Sequence, residues 1–325
     1  MVRRVVCREL GPPERLRLET SARVPLEAGM VRVAIRAAGI NFPDILMAAG
    51  EYQLKPELPF TPGVEAAGDV IEVDGEATGF AIGDRVIVRM RHGAYTDEAV
   101  VAPAQLTRLP KNFDYAEGAT FLAGHGTAHH ALVDRGQLRA GETLLVHGAA
   151  GGVGLAAVEI GKLIGAAVIA AASSEEKLAV ARTRGADHVV LYSREPFRDA
   201  VKRITDGRGA DVVFDPVGGP VFEDSLRCIA WGARLLVIGF TGGIGLARTN
   251  LVLIKGASVL GVRAGEAARR DPVLGERRMT ELLQWAEAGK VRPHVSHRLP
   301  LEDYARAMRL LIERKAIGRV ALMME

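Results

Sequence analysis

Cysteine is almost missing from this chain. Cys7 and Cys228 are the only two, far apart and in apolar surroundings, so no disulfide framework and no thiolate-rich metal site can be assembled from them. An excess of one charge is missing too. Forty-two Lys and Arg stand against 39 Asp and Glu, a net +3, and the bases are scattered, which argues against nucleic acid or an anionic membrane as partner. Aromatic residues are 5% of the chain and do not interleave with basic clusters as a nucleic-acid binder needs. No uncharged apolar run reaches the roughly 18 residues of a membrane span. The opening MVRRVVCREL lacks the apolar core of a signal peptide, and with so little cysteine a cytoplasmic location is expected. No Ser/His/Asp or Cys/His arrangement stands out. Ala156 occupies the place where a phosphate loop ending at Lys162 needs glycine, which sets aside hydrolases and ATPases.

What is present is a change of texture along 325 residues, enough for two domains. The first 120 or so read as short strands punctuated by Gly and Pro: 3–7, 31–37, 67–73, 85–88 and 95–101, with one helical piece over 42–49. From about Gly124 strands and helices alternate. Strands are expected at 143–147, 168–172, 188–191, 212–215, 234–239 and 258–262, with helices such as 175–184 and 222–230 between them. Buried strands alternating with amphipathic helices predict an α/β fold with a six-stranded, doubly wound parallel sheet. Helices 276–288 and 301–312 and a last strand 319–323 are expected to return to the first domain. The expected division is therefore 1–123 with 264–325, and 124–263.

The most informative stretch is LVHGAAGGVG, residues 145–154. An apolar strand runs into a small-residue turn and a helix follows. Ala149, Gly151 and Gly154 fill the three places of a G-x-G-x-x-G turn. Small residues there permit a tight turn, close approach of a pyrophosphate and close helix–strand packing, and the helix N-terminus faces the phosphates. About twenty residues on, an NAD site usually has an acid for the ribose 2′-hydroxyl. Here the second strand ends in Ser173 and Ser174, with Lys177 one turn later. Two hydroxyls and a cation favour NADPH over NADH. The same residues also read as a capping box, with Ser173 as N-cap and Glu176 three residues on.

AGINFPD (38–44), LPFTPGVEAAG (58–68), TAHHAL (127–132), HGAAGGVG (147–154), SSEEKL (173–178), GADVVFDPVGG (209–219) and RLLVIGF (234–240), in this order, resemble the zinc-free NADPH:quinone oxidoreductases of the medium-chain dehydrogenase/reductase superfamily. The resemblance implies a GroES-like, mostly antiparallel β domain beside the dinucleotide domain. It also implies roles for residues. Ala150, Gly151, Gly152, Val153 and Gly154 bind the pyrophosphate. Ser173, Lys177 and Tyr192 lie near the 2′-phosphate, and Arg314 closes over the adenine end. Asn41 and Thr127 sit beside the nicotinamide and its ribose, and Gly239 and Phe240 line the reactive half. Asn41 and Tyr52, with Phe42, face the substrate as the catalytic pair. Tyr52 and Phe42 read equally as core aromatics. In the zinc alcohol dehydrogenases a Cys and a His bind catalytic zinc, and their places here resemble Asn41 and Val64, so no metal is expected. His125 with His129, and His294 with His297, are spaced to share a helix face but lack a third ligand.

Without zinc nothing lowers an alcohol's pKa for oxidation, whereas a conjugated acceptor takes hydride without that help. The expected activity is hydride transfer from NADPH to a small planar quinone. The alternatives are reduction of an enone or enoyl double bond, and an NADPH-binding protein used for RNA binding or redox sensing. A homodimer through strand 258–262 is expected, because an apolar strand at a sheet edge needs cover.

Overall fold

The structure is a computed structural model and describes residues 1–75 and 79–324. The chain forms two units, Met1–Ala123 with Pro293–Glu325, and Gly124–Arg292. The first unit opens with β1 (Val2–Val6) paired antiparallel to β2 (Arg17–Ser21). β3 (Val31–Gly39), β4 (Glu65–Val73), β5 (Arg85–Arg89), β6 (Glu98–Val101) and β7 (Leu106–Arg108) follow. Val31, Val33 and Ile35 alternate along β3, so one face meets Val70, Val86 and Val88 in a single core. The helix Phe42–Ala49 starts at Asn41 and ends in the left-handed glycine Gly50.

The second unit holds β8 (Thr143–Val146), β9 (Ala167–Ala172), β10 (His188–Leu191), β11 (Ala210–Asp215), β12 (Ile229–Val237) and β13 (Ser258–Gly261). They form one parallel sheet in the order β10-β9-β8-β11-β12-β13. The order reverses between β8 and β11, which is where such sheets bind ligands. Leu145, Ile169, Val190, Val213 and Leu235 are buried in one cluster under the crossover helices.

The chain then returns to the first unit with β14 (Val295–Pro300), the helix Tyr304–Ile312 and β15 (Arg319–Met323). The first unit's main sheet runs β14-β15-β3-β4-β5-β7, with β6 also on β3. Every pairing in it is antiparallel except β14 with β15.

Two expectations change. Residues 264–292 group with the second unit, not the first. The helix Pro272–Glu287 buries Leu282 and Ala286, and its Glu281 and Arg278 reach His129 at 2.8 Å and His130 at 3.1 Å. The helix expected over 222–230 is Gly219–Ser225. Ile229 pairs with Ala210 and already belongs to β12, so ladder bonding overrides the local apolar pattern.

Candidate cofactor site

The cradle begins where buried β8 ends. Gly148 adopts φ +54°, which turns the chain and aims its carbonyl back under the next helix. A Cβ on Gly154 would lie 2.3 Å from that carbonyl oxygen and 2.8 Å from the Cα of Ala149. Only glycine allows the helix Gly152–Ile164 to seat this close to the strand. Gly151 is the N-cap, extended at φ −76°, and offers no side-chain cap. The first-turn N–H groups of Gly152, Val153 and Gly154 are those a helix leaves without an intrahelical acceptor. They form a ready anion site beside buried Ala150.

At the next strands, the Asp215 carboxylate ends β11 and accepts the N–H of Val217 at 2.8 Å and of Gly218 at 3.0 Å. Gly218 and Gly219 have φ of +73° and +52°. Their absent side chains leave room for the carbonyls of Gly243 and Gly242, 2.3 and 2.4 Å from where each Cβ would stand. Gly242 N–H bonds Val217 O at 2.7 Å. The segments 216–219 and 239–243 are thus one packed pair beyond β11 and β12, carrying Gly239 and an exposed Phe240. Burial pushes the Asp215 carboxyl up. Asp215 belongs to no motif of its own in the sequence; its one signal is a lone acid between the apolar run VVF and PVGG.

Beyond β9 lie the residues expected at a 2′-phosphate. Lys177 Nζ donates to Ser173 Oγ at 3.4 Å. Tyr192 N–H bonds Ala172 O at 3.3 Å, which sets Tyr192 directly after β10 beside Ser173. The N-cap of Glu175–Thr183 is Ser174, whose hydroxyl accepts the Lys177 N–H at 3.3 Å. The capping reading of Ser173 is therefore off by one residue, and Ser173 is exposed. Thr127, half-buried in the helix Leu122–His129, belongs to this unit as well.

Asn41, Tyr52 and Arg314 belong to the first unit. Arg314 follows the helix Tyr304–Ile312 with φ +57°. Tyr52, Phe42 and Val64 are partly buried against that unit's core. Asn41 is only 5% exposed. Its Nδ2 donates to Glu65 Oε1 at 3.1 Å and Gly39 O at 3.3 Å, and its Oδ1 accepts from Arg319 at 2.8 Å. Arg319 also pairs with Glu65, whose other oxygen accepts the Ala123 N–H at 2.9 Å. Below, Asp44 Oδ2 accepts the Asn41 backbone N–H and the Tyr95 hydroxyl, both at 2.8 Å. Desolvation pushes Asp44 up to about 7. Asp44, Glu65, Tyr95 and Arg319 were not foreseen; only the Asn-x-x-Asp spacing at 41–44, a capping pattern, pointed to any of them.

The paired histidines diverge. His125 bonds Glu159 at 3.0 Å and His129 bonds Glu281 at 2.8 Å, while His297 meets Ser296. Among the described residues no group of three or more His, Cys, Asp or Glu is placed to hold a metal ion.

A glycine-turned cradle at the reversal point of a six-stranded parallel sheet defines a dinucleotide-binding type of fold. Residues 27–132 match the alcohol dehydrogenase GroES-like domain and residues 152–287 the zinc-binding dehydrogenase family. Quinone oxidoreductase-like protein 2 of Rattus norvegicus is 38% identical over 322 residues, covering 98% of this chain and 91% of the relative. The crystal structure of an NAD-dependent alcohol dehydrogenase is 33% identical with TM-score 0.91, covering 99% of this chain and 100% of that one. Escherichia coli quinone oxidoreductase complexed with NADPH is 27% identical with TM-score 0.91, again covering 99% and 100%. The chain belongs to the quinone oxidoreductase-like members of the medium-chain dehydrogenase/reductase superfamily. It is an NAD(P)-dependent oxidoreductase, and the residues of the second unit fit a nicotinamide dinucleotide.

Gly154→Ala should lower unfolding stability by about 1–3 kcal/mol and weaken cofactor binding. Gly151→Ala, whose Cβ would meet only Gly148 O at 3.3 Å, should cost less stability. Thermal unfolding and cofactor titration of both variants check this. Because the folded chain holds the Asp44 proton more tightly than the unfolded chain, Asp44 ionisation destabilises the fold as pH rises from the ordinary carboxylate range through about 7. Relative to the parent, Asp44→Asn should therefore gain stability between pH 5 and pH 8 in urea titrations, and a gap that stays constant with pH would refute the assignment.

Proposed function

We propose that the chain reduces quinones with NADPH and needs no zinc. The observation that carries the cofactor choice is the end of β9, where Ser173 and Lys177 stand together in the place an NAD site gives to an acid. When bound, NADPH supplies a hydride and leaves the acceptor to take up a proton. The residues of the chain bind and orient. Gly152, Val153 and Gly154 turn their N–H groups to the pyrophosphate, with Ala150 and Gly151 forming the turn. Ser173, Lys177 and Tyr192 take the 2′-phosphate. Gly239 and Phe240 line the nicotinamide half, with Thr127 at its ribose and Arg314 at the adenine end. Asn41 and Tyr52 are the acceptor-side residues.

The Asn41 network supports a zinc-independent mechanism. The side chain in the cysteine place is an amide with both ends bonded to Glu65, Gly39 and Arg319, and Val64 offers no lone pair. A guanidinium beside that place opposes a cation. We also propose a homodimer in which β13, at the sheet edge, pairs with a second copy. Trp231, Leu253 and Ile254 are each more than 60% exposed, and Trp231 and Leu253–Ile254 belong to β12 and to the helix Thr249–Lys255 preceding β13. A cytoplasmic location remains the expectation from the scarce cysteine; no helix among the described residues is long and apolar enough to cross a membrane.

NADPH should bind at least tenfold tighter than NADH, and Lys177→Ala should remove about 1–2 kcal/mol of that preference; fluorescence titration with both cofactors measures it. Turnover of a quinone panel should persist in chelator, with quinol as product. A saturated ketone from enones, faster than quinol, would favour double-bond reduction instead. Val259→Lys should shift the sedimentation mass from dimer to monomer.

A further inference from the structure

The surface around Ser173 is less favourable to a phosphate than its hydroxyls imply. Glu175 and Glu176 open the helix that Ser174 caps, one and two residues beyond Ser174. Carboxylates so near Ser173 in the chain would repel a dianion bound there, because over less than a Debye length of about 8–10 Å screening is incomplete. Lys177 alone leaves the segment 173–177 with one negative charge in excess. The balance is restored from another strand. Arg194, in the turn after β10, places Nη1 2.9 Å from Glu175 Oε1. The turn is fixed by Arg194 N–H to Leu191 O at 2.9 Å and by Ser193 Oγ to Ser173 O at 3.5 Å. That holds Arg194 against the same strand end that carries Ser173 and Tyr192.

We propose that Arg194 is a specificity-determining residue for a 2′-phosphorylated cofactor, acting by cancelling the Glu175 carboxylate that would repel the phosphate. The inference rests on the NADPH reading above and extends it to a residue two positions beyond Tyr192. An exposed ion pair contributes little to stability, so the pair's consequence lies in the field it leaves at the site. With Arg194 present, residues 173–177 and 192–194 carry two acids and two bases. Without it, the excess negative charge returns.

The test is a double-mutant cycle read by calorimetric binding of 2′,5′-ADP and 5′-AMP to the full chain. Both side chains are more than half exposed, so the variants retain the core. Arg194→Ala should weaken 2′,5′-ADP roughly fivefold, the scale of one screened charge on a dianion, and leave 5′-AMP unchanged. Adding Glu175→Gln to Arg194→Ala should restore the parent's selectivity. If Arg194→Ala leaves the ratio unchanged, or the double variant stays as weak as the single one, cancellation of Glu175 is wrong. Equal binding of both fragments by the parent chain would instead remove the NADPH reading itself. A parent preference that survives Arg194→Ala removes only this inference.

Discussion

The carbonyl of Gly148 occupies the space where a side chain at position 154 would stand, and the second unit is arranged around that contact. Because nothing larger than hydrogen fits, the helix Gly152–Ile164 begins almost on top of β8. Its uncapped N–H groups and the positive end of its dipole then converge at the point where strand order reverses. The contact joins three levels: a small-residue pattern in sequence, a left-handed turn in the backbone, and an anion site. The same device recurs nearby, where Gly218 and Gly219 admit the carbonyls of Gly243 and Gly242. Backbone packed on backbone is rigid.

The first unit uses the opposite device. Where close approach of glycines shapes the cradle, buried charge shapes the surroundings of Asn41. Glu65 and Arg319 are nearly fully buried and compensate one another, with the Asn41 amide between them. Such a pair contributes little net stability once desolvation is counted. Its effect is to fix the amide in one orientation among partnered polar groups. Asp44 beneath it is the least comfortable member, since its Oδ1 is buried without a hydrogen bond and burial favours its neutral form.

What the sequence disclosed follows from how local each feature is. The glycine turn and the alternation of strands and helices lie within short windows, and the folded chain keeps both; the serine directly after Ala172 is equally local. Contacts assembled from afar could not be read. Asn41, Glu65 and Arg319 meet only because β3, β4 and β15 are neighbours, and nothing in any one segment announces the others. Arg194 and Glu175 are likewise joined by the pairing of β9 and β10. β2 and β7 were missed because they are short or polar on both faces, without the alternation that marks a half-buried strand. The place of residues 264–292 was misjudged because their amphipathic pattern fixes that they pack, and not on what.

A nicotinamide dinucleotide is expected to lie across the loops beyond β8, β9, β10, β11 and β12. Hydrogen–deuterium exchange of the full chain with and without saturating NADPH tests it directly. Protection is predicted over 148–155, 173–177, 192–194, 215–219 and 238–243. If NADPH binds and those segments exchange as they do in its absence, the cofactor lies elsewhere and the account fails.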